Sequence, residues 1–237
     1  MFISNTATQN GGGINNYNAN LTISGTVFDR NIASRNGGAI FDSSGLTLHL
    51  ANSSVTDNVA ENGAGIYSDS GEIGILNSTL SGNDANLSGG GLYFTGDATA
   101  SVTNATLSGN SANSGAALYV TQGGTVIVVN STLLQNAATE VADGIFAGLS
   151  EVRLINTLVG DDLSSQSDCV GELQGETNLD SDGTCPNSQR ISIGIDVSPT
   201  LEDNGGITAT HALTPSSAAI DEGGDPMCPD VDQRGIN

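Results

Sequence analysis

The phrase Gly11-Gly12-Gly13-Ile14 returns as Gly37-Gly38-Ala39-Ile40, Gly63-Ala64-Gly65-Ile66, Gly89-Gly90-Gly91-Leu92 and Gly115-Ala116-Ala117-Leu118. Its apolar residue falls at 14, 40, 66, 92 and 118, a constant interval of 26. A weaker copy, Asp143-Gly144-Ile145, follows after 27. A fixed period of this length marks a solenoid, in which each repeat buries its apolar side only against its neighbours. Such a coil needs a narrow aliphatic core. Aromatics at 4% and the absence of Trp agree with that.

Within each repeat the Gly phrase precedes an alternating apolar stretch: Leu21/Ile23, Leu46/Leu48, Ile73/Ile75, Val126/Val128 and Val152/Leu154. Alternation at period 2 specifies strand, and the intervening Gly, Asn and Ser specify turns. An apolar residue three places before an Asn closes the repeat, as in Phe28/Asn31 and Leu80/Asn83. Strands in register with their copies one repeat later form parallel sheets. The expected fold is all-β, a right-handed parallel β-helix (solenoid) with three strands per rung and about 26 residues per rung. It should occupy residues 1–160, with an irregular, acidic, β-rich region packing on the coil over 161–237.

Two asparagine columns run with this period. One is Asn5, Asn31, Asn58, Asn83, Asn110 and Asn136; the other is Asn52, Asn77, Asn104, Asn130 and Asn156. Stacked amides can bond to one another along the coil, satisfying polar groups at the turns, so both columns are expected as ladders. A column of small residues, Ala7, Ala33, Ala60, Ala85, Ala112 and Ala138, fits an inward corner. Asn-x-Ser/Thr triplets such as Asn77-Ser78-Thr79 match a glycosylation acceptor, but the repeat already accounts for them. Phe2-Ile3-Ser4-Asn5 matches Phe28-Asp29-Arg30-Asn31, so the chain starts in mid-rung. A fragment, or an N-terminal end covered by another segment, is the expectation.

The formal net charge is −21, uneven along the chain: net −8 over residues 1–158 and −13 over 159–237. This surface repels phosphate backbones, so nucleic acid is excluded as a partner. No apolar run reaches the roughly 20 residues of a membrane span, so no membrane insertion of this segment is expected. The acidic tail leaves calcium binding open; no metal-ligating set and no cofactor are read otherwise. Cys169 and Cys185 flank an acidic loop with little apolar content and are expected to form a disulfide, in an oxidising compartment. Cys228 is left over.

The Gly-Gly-Ala-Ile and Phe-x-x-Asn phrases, five or six times in register, resemble the repeats of polymorphic outer membrane proteins. These are bacterial surface β-helices related in architecture to the pectate lyases. The tail phrases Asp203-Asn204-Gly205-Gly206, Thr210-His211-Ala212-Leu213, Ala219-Ile220-Asp221 and Asp232-Gln233-Arg234-Gly235 resemble the C-terminal part of choice-of-anchor Q proteins. Those chains usually run on to a further Cys-containing segment, which suggests truncation after Asn237. The resemblance implies a non-catalytic extracellular module of a bacterial surface or secreted protein, used in adhesion or glycan binding. Its partner would be a polysaccharide or another surface protein.

The competing expectation is a polysaccharide lyase or glycoside hydrolase of the pectate-lyase-like superfamily. Hydrolysis needs two carboxyl groups facing one substrate. Asp161-Asp162 is the weak candidate, because adjacent strand residues point to opposite faces. Lyase chemistry needs a free Arg or Lys. Arg30 lies one rung from Asp57 and Arg35 one rung from Glu61, so both read as cross-rung ion pairs. His49 points outward between Leu48 and Leu50, without metal-ligating company; His211 reads as structural. One further column follows the inward residue of the Gly phrase: Phe41, Tyr67, Tyr93 and Tyr119, continued by Phe146. Alternation turns these rings outward, either as ladder packing or as a strip that binds a sugar chain.

Overall fold

The computed structural model describes residues 1–160, 166–224 and 228–236. It is a parallel β-solenoid of about six turns, with no helix among the described residues. Each turn contains four short strand segments. In the second full turn they are Ile40–Asp42, Thr47–Ala51, Ser54–Thr56 and Val59–Asn62. The first two series share one sheet, and Ile145–Ile155 runs through both places without a break. The segments therefore make three walls.

The Gly phrase works through its first residue. Gly89 turns the chain at φ +66°, and a Cβ there would sit 2.5 Å from the Leu92 carbonyl oxygen. The chain then enters the core with the column Ile14, Ile40, Ile66, Leu92, Leu118 and Ile145, paired residue to residue. Leu48, Ile73, Ala100, Val126 and Val152 fill the rest of that wall, and Phe28, Val55, Leu80, Leu107 and Leu133 the wall of the nine-stranded sheet. Ala33, Ala60, Ala85, Ala112 and Ala138 form a separate buried cluster with Ala64 and Ala116. That corner is too narrow for a branched side chain.

One strand differs from the sequence expectation. The inward pair in the second turn is Leu48/Leu50, and Leu46 is 41% exposed. Leu21 pairs with Leu48, an interval of 27, because the stretch from Ile40 to Leu48 is one residue longer than that from Ile14 to Leu21.

The parallel stacking continues beyond residue 160. Cys169–Glu176 lies in register on Ile145–Ile155, Asn178–Asp180 lies on Leu158–Gly160, and Ser188–Arg190 lies on Asn178–Asp180. The Cys169–Cys185 disulfide closes this added turn, with Cα atoms 5.0 Å apart. Leu134, Leu158, Leu179, Ile191 and Val197 form a small apolar cluster separate from the main core. Val197–Glu202 and Thr210–Leu213 then pair as an antiparallel hairpin.

The tail packs across the outer face of the nine-stranded sheet. Thr79 Oγ1 donates to the Ala209 carbonyl at 2.6 Å, and Thr106 Oγ1 donates to Gln233 Oε1 at 2.8 Å. His211 is buried there. Its Nδ1 lies 2.9 Å from the Ser198 carbonyl and must donate, which leaves Nε2 to accept from Ser108 Oγ at 2.8 Å. Burial lowers the His211 pKa below its ordinary value, against the Ser198 bond that raises it. Asp232 fixes the last turn through Arg234, at 2.6 Å, and through the Arg234 and Ile236 amides.

The two asparagine columns have different fates. Asn5, Asn31, Asn58, Asn83, Asn110 and Asn136 form a ladder in which each Nδ2 donates to the next Oδ1 at 2.8–2.9 Å. Each ladder Oδ1 from Asn31 to Asn136 also accepts the backbone N–H of the previous Asn. The second column does not stack in this way. Asn52, Asn77, Asn104, Asn130 and Asn156 sit at φ 47–51°, the left-handed corner that Asn tolerates. Their side chains leave the coil. Only Asn104 reaches back to Asn77, at 3.3 Å, while Asn104 also donates to the Val231 carbonyl and Asn156 to that of Gly224.

Serines that follow a corner Asn do the laddering instead, and Asn178 takes that place after the left-handed Thr177. Ser53 Oγ accepts the Thr26 amide, Ser78 Oγ the Ser53 amide, Ser131 Oγ the Ala105 amide and Asn178 Oδ1 the Thr157 amide. The middle residue of the Asn-x-Ser/Thr triplets is thus an internal structural position.

Candidate functional site

The aromatic column is built by alternation. Ile66, Leu92 and Leu118 point into the core, so Tyr67, Tyr93 and Tyr119 project from the same strands to the outside. The rung spacing then stacks them. Ring centroids are 5.3 Å apart from Phe41 to Tyr67, 4.8 Å to Tyr93, 5.0 Å to Tyr119 and 4.8 Å to Phe146, with planes 12–15° from parallel. Tyr17 closes the N-terminal end, tilted by 57° against Phe41.

The strip differs from the sequence expectation in two respects. Phe41 is only 4% exposed, because Tyr17 and Tyr67 cover its two sides. The three tyrosines between Phe41 and Phe146 are half-buried. Face-to-face stacking also occupies the ring faces, so the outside meets ring edges and hydroxyls. Among the described residues no side chain or backbone group hydrogen-bonds to the Tyr67, Tyr93 or Tyr119 hydroxyl. Burial, then the neighbouring Tyr93 and Asp69, pushes the Tyr67 pKa up to about 12. Burial, followed by Tyr119, raises that of Tyr93 as well. The Tyr67 and Tyr93 hydroxyls are therefore protonated at neutral pH and able to donate.

Tyr17 escaped sequence reasoning. Asn15 takes the register place opposite Phe41, so the ring enters the stack from two residues downstream, outside the period. It is 58% exposed, and its hydroxyl accepts from Asn10 Nδ2 at 3.3 Å.

A second concavity, of about 540 Å³, lies between tail and coil. Asn104, Asn130 and Asn156 form its coil wall; His211 and Gln233 face them. Gln233 Nε2 donates to Thr79 Oγ1 at 3.0 Å and Thr208 Oγ1 at 2.9 Å, tying the tail down. Cys228 is free and exposed, 3.6 Å from Asn130 Nδ2.

Among the described residues, the remaining sequence candidates do not converge on one cleft. Asp161 and Asp162 lie outside the described residues. Arg30 pairs with its neighbour Asp29 at 2.7 Å rather than across the rung with Asp57. Arg30 sits at φ 53°, in the left-handed region. Among the described residues no ion pair joins Arg35 to Glu61; only their backbones bond. Arg153 pairs with Glu176. His49 is exposed and lies over Gly74, where a Cβ would come within 2.6 Å of Nδ1.

Residues 25–43 match the Chlamydia polymorphic membrane protein repeat. That stretch carries one Phe-x-x-Asn phrase and one Gly phrase, and the same pair recurs along the coil. The chain is thus a β-solenoid with repeats similar to those of these bacterial surface proteins. No curated protein and no solved structure matches it.

Proposed function

We propose that the chain is a non-catalytic extracellular module of a bacterial surface or secreted protein, and that its aromatic strip binds a glycan lying along the rod. The observation that carries this reading is the row of Tyr67, Tyr93 and Tyr119, one half-buried ring per rung, with hydroxyls that no group among the described residues bonds. The repeat match at residues 25–43 supports the surface setting. Because the ring faces are stacked on one another, a sugar chain meets hydroxyls and edges. Recognition then rests on hydrogen bonds at rung spacing more than on face-on stacking. The acidic surface favours neutral or cationic polymers.

Binding to an immobilised glycan panel tests this. Tyr93→Phe removes one hydroxyl and keeps the stack, so it should weaken binding several-fold while leaving the circular-dichroism spectrum unchanged. Equal binding by the wild type and by Tyr67→Phe/Tyr93→Phe/Tyr119→Phe would reject the strip. Release of unsaturated or reducing ends from pectin or alginate, in the presence of calcium, would instead establish the lyase or hydrolase reading.

A further inference from the structure

Three carboxylates converge where the coil ends. Asp168 stands immediately before Cys169, Asp180 ends the strand Asn178–Asp180, and Asp182 follows two residues later. One oxygen from each lies within 4.8 Å of the others. Asp168 and Asp180 are buried and Asp182 is half-buried. The Cys169–Cys185 disulfide joins the two arms that carry them.

The protein only partly satisfies this cluster. Asp168 Oδ2 accepts from the Ser181 amide at 3.1 Å and from Ser181 Oγ at 2.8 Å. Asp182 Oδ1 accepts from the Thr184 amide and hydroxyl, and Oδ2 from the Asp168 amide. Asp180 Oδ2 accepts from the Cys185 amide at 2.8 Å. Asp180 Oδ1 has no partner, although the residue is 0% exposed. The Arg190 guanidinium donates to the Asp182 backbone carbonyl, and among the described residues no ion pair joins it to the three carboxylates. Burial is the main cause that holds the Asp168 carboxyl above its ordinary range; the Ser181 bonds oppose it and the Asp182 and Asp180 charges add to it.

A buried carboxylate oxygen without a donor or counter-charge is costly. A cation at the centre of the cluster removes that cost. The donors are all oxygen, since both nearby sulfurs are consumed in the disulfide, and all-oxygen sets select hard cations. Calcium accepts irregular sets of oxygens at about 2.3–2.6 Å, so two of its ligands lie at most about 5 Å apart. The separations in the cluster fall inside that span. Thus we infer that Asp168, Asp180 and Asp182 form a calcium site that locks the last turn of the coil to its disulfide-closed loop. This inference is independent of the glycan-binding reading.

The test is calorimetric titration of calcium chloride into chelator-stripped protein with its disulfide intact. One saturable site per chain is expected, together with a rise in melting temperature. Asp180→Asn and Asp182→Asn should each weaken binding at least about tenfold, while Glu72→Gln, on the distant coil surface, should not change it. Should Asp180→Asn fail to fold, the half-buried Asp182→Asn carries the comparison, with far-ultraviolet circular dichroism as the folding control. Absence of saturable binding up to about 10 mM calcium, ten times the weak end of extracellular calcium modules, overturns the site. So does wild-type affinity in Asp182→Asn, and magnesium binding as tight as calcium overturns the choice of ion.

Discussion

Asn83→Ala puts the ladder to a quantitative test. The Asn83 side chain is fully buried and makes four hydrogen bonds. Its Oδ1 accepts from the Asn58 amide at 3.1 Å and Asn58 Nδ2 at 2.9 Å; its Nδ2 donates to Asn110 Oδ1 at 2.9 Å and the Val55 carbonyl at 3.0 Å. Two partners keep another bond after truncation. Asn58 Nδ2 still donates to the Phe28 carbonyl, and Asn110 Oδ1 still accepts the Asn83 amide. The Asn58 amide loses its acceptor and the Val55 carbonyl loses a donor, both inside the coil. At about 1–3 kcal/mol for each buried group left unsatisfied, the loss for the two is about 2–6 kcal/mol. That is a large share of the roughly 5–15 kcal/mol that holds a typical domain together. Urea unfolding followed by circular dichroism should show a lower midpoint with an unchanged slope. Asn77→Gly is the control, because glycine adopts the same left-handed corner and the Asn77 side chain accepts only from Asn104. An Asn83→Ala loss below about 0.5 kcal/mol, the scale of a surface change, would refute the ladder as a stabilising element.

Three further outcomes follow from the same contacts. Spectrophotometric titration should show Tyr67 ionising near pH 12, and Tyr67→Phe should remove that late step. A folded-state pKa above the unfolded value of about 10 means that this group's contribution is complete below pH 10 and lost as pH rises from there towards 12, which alkaline unfolding curves of the two proteins check. For His211 the sign is opposite: its folded pKa is lowered, so its contribution is present above the unfolded value of about 6.5 and is lost as pH falls through the folded one. Limited proteolysis should cut the tail faster at about pH 5 than at pH 7, and His211→Gln should shrink that difference. Gly89→Ala forces a side chain into φ +66°, and it should cost at least about 1–2 kcal/mol of stability by urea titration.

How much was legible follows from what each feature repeats. The Gly phrase could be read because every rung needs a left-handed turn at the same point, so the constraint prints itself at a fixed interval. The inward column of Ile40, Ile66 and Leu92 came with it. Leu46, Leu48 and Leu50 alternate alike, so the pattern could not tell that the strand begins at Thr47 and that Leu46, just before it, is exposed. The two asparagine columns have the same periodicity, so period alone could not separate them. The difference lies in backbone conformation: one column is inside, the other at a left-handed corner with its amides turned to the tail. Phe41 looked like Tyr67 and Tyr93, but Tyr17, off the period, covers it. The acidic trio shares no interval at all. It exists only because the final turn and the disulfide bring Asp168 beside Asp180 and Asp182.

The non-repeating tail also decides which side of a repetitive rod can be used. A coil with identical rungs offers each of its walls equally along its length. His211 and Gln233 break that equivalence by covering the outer face of the nine-stranded sheet at Thr79, Thr106 and Ser108, all of which are buried. The aromatic strands belong to the twelve-stranded sheet, on another wall. Tyr67, Tyr93 and Tyr119 stay half-exposed there, with the tail engaged elsewhere. A ligand long enough to span several rungs therefore finds one wall covered and the aromatic wall open. Releasing the tail by acid should expose the Thr79 wall without altering binding at the tyrosines. Loss of glycan binding in His211→Gln, at a pH where the coil remains folded, would mean that the tail contributes to the binding face and that the two walls do not act separately.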